Sequence, residues 1–165
     1  MSAETFTTAM FLITAVIAAG VLINAIFPIV YQMTGTFSSA THESDQRLRT
    51  DFKIITTFAR ESDFTAQVWL KNIGTQRIAV SEIADSDVFC GEPGDFDRLS
   101  YTSGALGDGN WNYDLSDLNN NQQWDSGETL KITAKTSKIP LSGDVVYFQF
   151  VLPNGIWRSN EFTVS

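Results

Sequence analysis

Between Thr7 and Phe37 the chain carries no charged side chain, and no Lys or Arg occurs before Arg47. A helix that is apolar on every side must be covered by lipid or by other helices. At about 1.5 Å per residue, residues 6–33 exceed a hydrocarbon core of about 30 Å. A secretory signal peptide would begin with a basic segment and end an apolar run of about 7–15 residues at a small-residue cleavage site, a pattern this segment does not follow. The positive flank that commonly orients a membrane helix is also missing on the N-terminal side, where Glu4 stands instead. The segment is therefore predicted to reside in a membrane at some stage, with an N-terminal flank that reads as though a basic leader had been removed.

Small residues inside the run, Ala9, Ala15, Ala18, Ala19, Gly20 and Ala25, let helix backbones approach closely, while Phe11, Leu12, Val16, Leu22 and their apolar neighbours surround them. Pro28 has no N–H to donate to the carbonyl of Asn24, which predicts a bend over residues 24–28 and leaves Asn24 to satisfy a neighbouring helix. Phe11, Ala15, Ala18, Ala19, Gly20, Leu22, Asn24 and Pro28 are thus the candidate assembly core. Leu48, Phe52 and Ile55 follow at helical spacing among charged residues, so one helix is expected over residues 3 to about 58, with His42 solvated or facing another subunit. Residues 1–60 are read as the helical part and residues 61–165 as a separate outer domain.

Beyond residue 60 the pattern changes to period two. In "DFTAQVWLKN", Phe64, Ala66, Val68 and Leu70 alternate with polar residues and Trp69, as in a half-buried strand. Further strands are expected at 76–83, 86–90, 128–135, 144–151 and 156–164, the last two joined by a tight turn at Pro153, Asn154 and Gly155. "GDFDRLSYTSGALGDGN", rich in Gly, Asp and Ser, reads as a surface loop. The fold class that follows is α+β: a long apolar helix and then an antiparallel, immunoglobulin-like β-sandwich or barrel.

Residues 61–165 hold 15 Asp and Glu against 7 Lys and Arg, while residues 1–60 hold 4 of each. An acidic outer domain argues against a nucleic-acid partner, which would require a basic face. Cys90 is the sole cysteine, so no internal disulfide forms, and its expected place is the core. Serine or cysteine nucleophiles would need a base, and the one histidine lies on the helix; no catalytic residue is assigned.

"DLNNNQQWDSGE" places Asp117, Asn119, Asn121, Asp125 and Glu128 at positions 1, 3, 5, 9 and 12 of an EF-hand-type loop, with the Gln123 carbonyl at position 7. Calcium takes six to eight oxygens from a loop that curls around it. Gln122 stands at position 6, where Gly normally makes the turn, and three of the side-chain ligands carry charge, which would weaken binding. Two readings stay open: a calcium site, the one cofactor considered, and a plain Asn/Asp-rich turn leading into a strand.

"AVIAAGVLIN", residues 15–24, resembles the N-terminal helix of archaellins, the archaeal flagellin subunits, a family related to type IV pilins. The resemblance implies a structural subunit of the archaellum, an extracellular filament on the archaeal cell surface, polymerising through the helix for swimming. It implies as partners other copies of the chain, related archaellins, and a prepilin-type peptidase that removes a basic leader from a precursor held transiently in the membrane. Some archaellins hold a metal ion in the outer domain. The opening "MSAETFTTAM" departs from the glycine-rich start of many archaellins, and no Asn-x-Ser or Asn-x-Thr is present for N-glycans. "QVWLKNIGTQRIAV" followed by "WDSGETLKI" resembles the β-domain of archaellum accessory proteins, which implies an alternative: an envelope-anchored stator-like protein, or a pilin used in adhesion.

Overall fold

The computed structural model describes residues 2–165; the side chains of residues 37–40 lie outside the description. Two compact units divide the chain, residues 1–44 and residues 45–165.

Helix α1 (Ser2–Arg49) accounts for the first unit and the first turn of the second. It is assigned without interruption through Pro28 and through the Thr- and Ser-rich residues 34–44. The threonines are accommodated because their hydroxyls turn back onto the helix: Thr14 donates to the Met10 carbonyl at 2.8 Å and Thr34 to that of Val30 at 2.8 Å.

The helix ends at Arg49, not near residue 58 as its periodicity predicts. Both the amide and the hydroxyl of Thr50 donate to the Gln46 carbonyl, at 3.0 and 2.7 Å, and β1 (Phe52–Arg60) follows at once. Consecutive β-branched residues, Ile54, Ile55, Thr56 and Thr57, favour the extended chain there. The supposed helical stripe is split by this change: Leu48 is 86% exposed, Phe52 is fully buried and Ile55 is 49% exposed.

Residues 45–165 form the head. After β1 come β2 (Thr65–Asn72), β3 (Ile78–Ala79), α2 (Val80–Ala84), β4 (Asp87–Glu92), β5 (Asp95–Tyr101), β6 (Asn110–Ser116), β7 (Gln123–Trp124), β8 (Thr129–Lys135), β9 (Val145–Val151) and β10 (Trp157–Thr163). Eight of the strands make one sheet in the order β1-β2-β8-β6-β5-β4-β9-β10, antiparallel except for β5 with β6. The ends of this order approach each other, the Ser165 amide donating to the Ala59 carbonyl at 2.9 Å, so the sheet curls into a nearly closed barrel. Ala66, Val68 and Leu70 of β2 alternate inward with Leu130, Ile132 and Ala134 of β8 and Val146, Phe148 and Phe150 of β9, all with no exposed surface. Trp124 and Phe150 flank Phe52 at ring distances of 5.8 and 5.5 Å.

Three local expectations are corrected. Residues 76–83 are a two-residue bridge and a short helix, whose start is held by Glu82 accepting the Ala79 amide at 2.9 Å. Phe64 is in a turn at φ 53° and stays exposed, so it does not continue the β2 face. The expected loop at 94–110 contains β5, whose single buried residue, Leu99, gives too little alternation to be read; β6 begins at its end, at Asn110.

Candidate functional site

The described side chains of residues 2–36 are all exposed, including Phe11 (76%), Leu12, Val16, Ile17 and Leu22. The core of the head is built from its own residues. Phe11, Ala15, Ala18, Ala19, Gly20, Leu22, Asn24 and Pro28 all lie on this uncovered surface. A Cβ placed on Gly20 would meet nothing within 4 Å. Glycine inside a helix costs about 0.5–1 kcal/mol relative to alanine. By length and composition α1 is long and apolar enough to cross a membrane.

The joint that receives α1 was not visible in the sequence. Arg49's carbonyl accepts the amides of Thr75 and Gln76 at 2.9 and 3.1 Å, and that of Asp51 accepts the amides of Ile73 and Gly74 at 3.0 and 2.8 Å. Asn72, fully buried at the end of β2, fixes the loop that supplies these donors: its Nδ2 donates to the Gln76 and Trp124 carbonyls at 3.0 and 2.9 Å, and its Oδ1 accepts the Gly74 amide at 2.9 Å. Asn154 donates to Thr50 Oγ1 at 3.1 Å from the β9–β10 turn. Asn72-Ile73-Gly74, a turn-forming stretch that closes the alternation of β2, was the available signal.

The loop at 117–128 abuts this joint. Asp117 accepts the amides of Asn119, Asn121 and Gln122, and the Asn119 and Asn121 side chains both donate to Asp125 Oδ2 at 2.8 Å. These amides, with Arg77 at 3.2 Å, hold the Asp125 carboxyl below the usual carboxylate range. Glu128 is buried and accepts the amides of Leu118 and Asp125 at 3.0 and 2.9 Å. Gln122 adopts φ 59°, the left-handed conformation for which glycine is used at this position of a calcium loop. The oxygen-bearing residues are therefore gathered as their spacing implies, but their carboxylates face the loop's own donors. Among the described residues no three His, Cys, Asp or Glu side chains are placed to hold a metal. Asp125 Oδ1 is buried against Arg77 Nε at 3.2 Å and accepts no hydrogen bond.

A family model for archaeal-type flagellin matches residues 3–162, nearly the whole chain. The chain belongs to the archaeal-type flagellin family. This family is a structural component of the archaellum, the extracellular filament of the archaeal cell surface. The archaeal flagellum of Methanospirillum hungatei is similar in fold, with a TM-score of 0.68 at 14% identity, over 97% of this chain and 93% of that one. The archaellum periplasmic stator protein FlaG of Sulfolobus acidocaldarius is similar at 25% identity and a TM-score of 0.55, over 68% of this chain and 99% of that one. An uncharacterised protein of Archaeoglobus fulgidus is 25% identical over 167 aligned residues, 98% of each chain.

Proposed function

We propose that this archaeal flagellin polymerises through α1 into a helical homopolymer used for swimming, with the acidic heads facing outward. The observation that carries this reading is that the described apolar side chains of residues 2–36 are exposed while the head's core is complete among its own residues. Burial is worth about 25 cal/mol per Å² of apolar surface, so packing such helices together stabilises a polymer without covalent links. The length and hydropathy of the helix suit a precursor that waits in the membrane, where a prepilin-type peptidase would process it. The fold match to the Methanospirillum flagellum supports the reading because it includes nearly the whole chain. The stator likeness favours the second reading, an envelope-anchored accessory protein, but leaves about a third of this chain without a counterpart.

Electron microscopy of material sheared from cells, with peptide identification, separates the two. Filaments containing this chain are expected in the sheared fraction; retention of all the protein in the envelope would support the accessory reading.

For the loop we propose weak calcium binding, in which Asn119 and Asn121 turn their amide oxygens inward beside Asp117, Asp125 and Glu128, with the Gln123 carbonyl. A ligand that binds only the native state raises its melting temperature by mass action. Calorimetry with millimolar calcium or with chelator is expected to show a higher transition in calcium; superimposable transitions would overturn the proposal.

A further inference from the structure

The charges of the head are sorted. Arg49, Arg60, Arg77, Arg98, Lys138 and Arg158 each form an ion pair with a carboxylate. Lys53, Lys71, Lys131 and Lys135 form none among the described residues, and all four share the outer face of β1, β2 and β8: Lys53 is opposite Lys71, and Lys131 is opposite Trp69. The Lys131 ammonium lies 5.4 Å from the centre of the Trp69 ring. With Arg60 at the end of β1, this face and the adjoining outer face of β6 carry five basic residues and one acidic residue, Asp114. The rest of the head carries sixteen acidic residues against six basic ones.

Much of that negative charge lies at the end of the barrel away from α1's last turn. Glu61 and Asp63 occupy the β1–β2 turn, Glu92 and Asp95 flank the β4–β5 turn, and Asp108 and Asp144 precede β6 and β9. Apart from Glu61, which is half-buried, all are exposed; Asp63 and Asp95 are paired with Arg60 and Lys138, which leaves Glu92, Asp108 and Asp144 without an ion pair among the described residues. A basic side face and an acidic tip are two different surfaces on one molecule. Contacts between unlike surfaces propagate as open assemblies, whereas a self-complementary patch closes a dimer.

We infer that the lysine face of β1, β2 and β8 docks the acidic tip of a second copy of this chain, forming an outer, salt-sensitive layer of contacts between heads. The inference rests on the filament reading and adds a second interface to the helical core. Isolated lysines on a strand face cost nothing in water, but four gathered on a surface with one acidic residue, Asp114, while the other sixteen lie elsewhere on the head, create a field that attracts a surface of opposite sign.

The test compares sheared filaments of the full chain with filaments of Lys71→Glu/Lys131→Glu, following thermal disassembly by light scattering. Raising NaCl from about 0.1 to about 1 M shortens the screening length from about 10 to about 3 Å, so wild-type filaments are expected to disassemble at lower temperature in high salt. The double variant should still assemble through α1, disassemble several degrees lower at low salt and lose the salt dependence. Adding Glu92→Lys and Asp144→Lys should restore part of the stability by reversing both partners. Calorimetry of dissociated subunits shows whether the substituted heads remain folded, as expected for outer-face side chains that take no part in the buried core. Unchanged stability and unchanged salt dependence in a folded double variant would overturn the inference. So would filaments indifferent to the substitution while binding of the chain to isolated envelopes is lost, which would assign the face to an envelope partner. Failure of the wild-type chain to form any filament would refute the filament reading itself and leave this inference without its basis.

Discussion

At the scale of single residues, Gly74 and Cys90 yield sharp predictions. A Cβ on Gly74 would lie 2.3 Å from the Arg49 carbonyl oxygen and 2.5 Å from the Asp51 amide nitrogen, both backbone atoms that cannot rotate away. Gly74→Ala is expected to destabilise the head by about 1–3 kcal/mol, the usual cost of overpacking, read as a lower midpoint in urea. Burial pushes the Cys90 thiol up to about 12. Well below about pH 8.5 the thiol is protonated in both folded and unfolded chains and contributes no slope. As pH rises from there toward about 12, the unfolded thiol ionises and the native one does not, so stability falls. Cys90→Val should remove this alkaline component, measured as the difference in denaturation midpoint between pH 8 and pH 10. Iodoacetamide should leave native Cys90 unlabelled at pH 8; rapid labelling without unfolding would contradict its burial.

At the scale of elements, α1 and β1 show how local pattern and tertiary context compete. Ala18→Arg or Ala19→Glu would place an unpaired charge among packed helices, a loss of several kcal/mol per subunit interface. Both are expected to abolish filaments in sheared preparations while an exported chain retains a folded head by circular dichroism. Gln122→Lys, on an exposed loop side chain, should leave both unaffected. Filaments formed by Ala18→Arg would show that the small-residue face is not the core. β1 displays the converse case. Leu48, Phe52 and Ile55 satisfy helical spacing, yet Phe52 belongs between Trp124 and Phe150, two partners that come from 72 and 98 residues further along the chain.

At the scale of the whole molecule, the division at residues 44 and 45 leaves all the buried hydrophobic residues, among the described ones, in the second unit. Residues 45–165 should therefore melt cooperatively as a soluble monomer, whereas the full chain should sediment as polymer or with membranes. Sedimentation velocity paired with calorimetry checks both, and an isolated head that aggregates or unfolds without α1 would contradict a self-sufficient core.

The uncharged run of residues 7–37, the sorting of charge toward the C-terminal part and the period-two stretches near 65–72, 129–135 and 145–151 were legible because each depends on neighbours close in sequence. The apolar run determined a helix that needs an outside partner, and the alternation determined a β head. The Asn/Asp spacing of residues 117–128 also marked a tight loop. Alternation at Trp111, Tyr113 and Leu115 was present in β6 as well, but a Gly- and Asp-rich approach obscured it. What the tertiary structure alone decided lies where distant segments meet: the end of the helix at Arg49, the Asn72 joint, the curling of the sheet into a barrel and the gathering of Lys53, Lys71 and Lys131 on one face. Strand pairing joins residues with no regular separation in the chain, so their common face and shared partners are set by register and closure and cannot be counted along a local period.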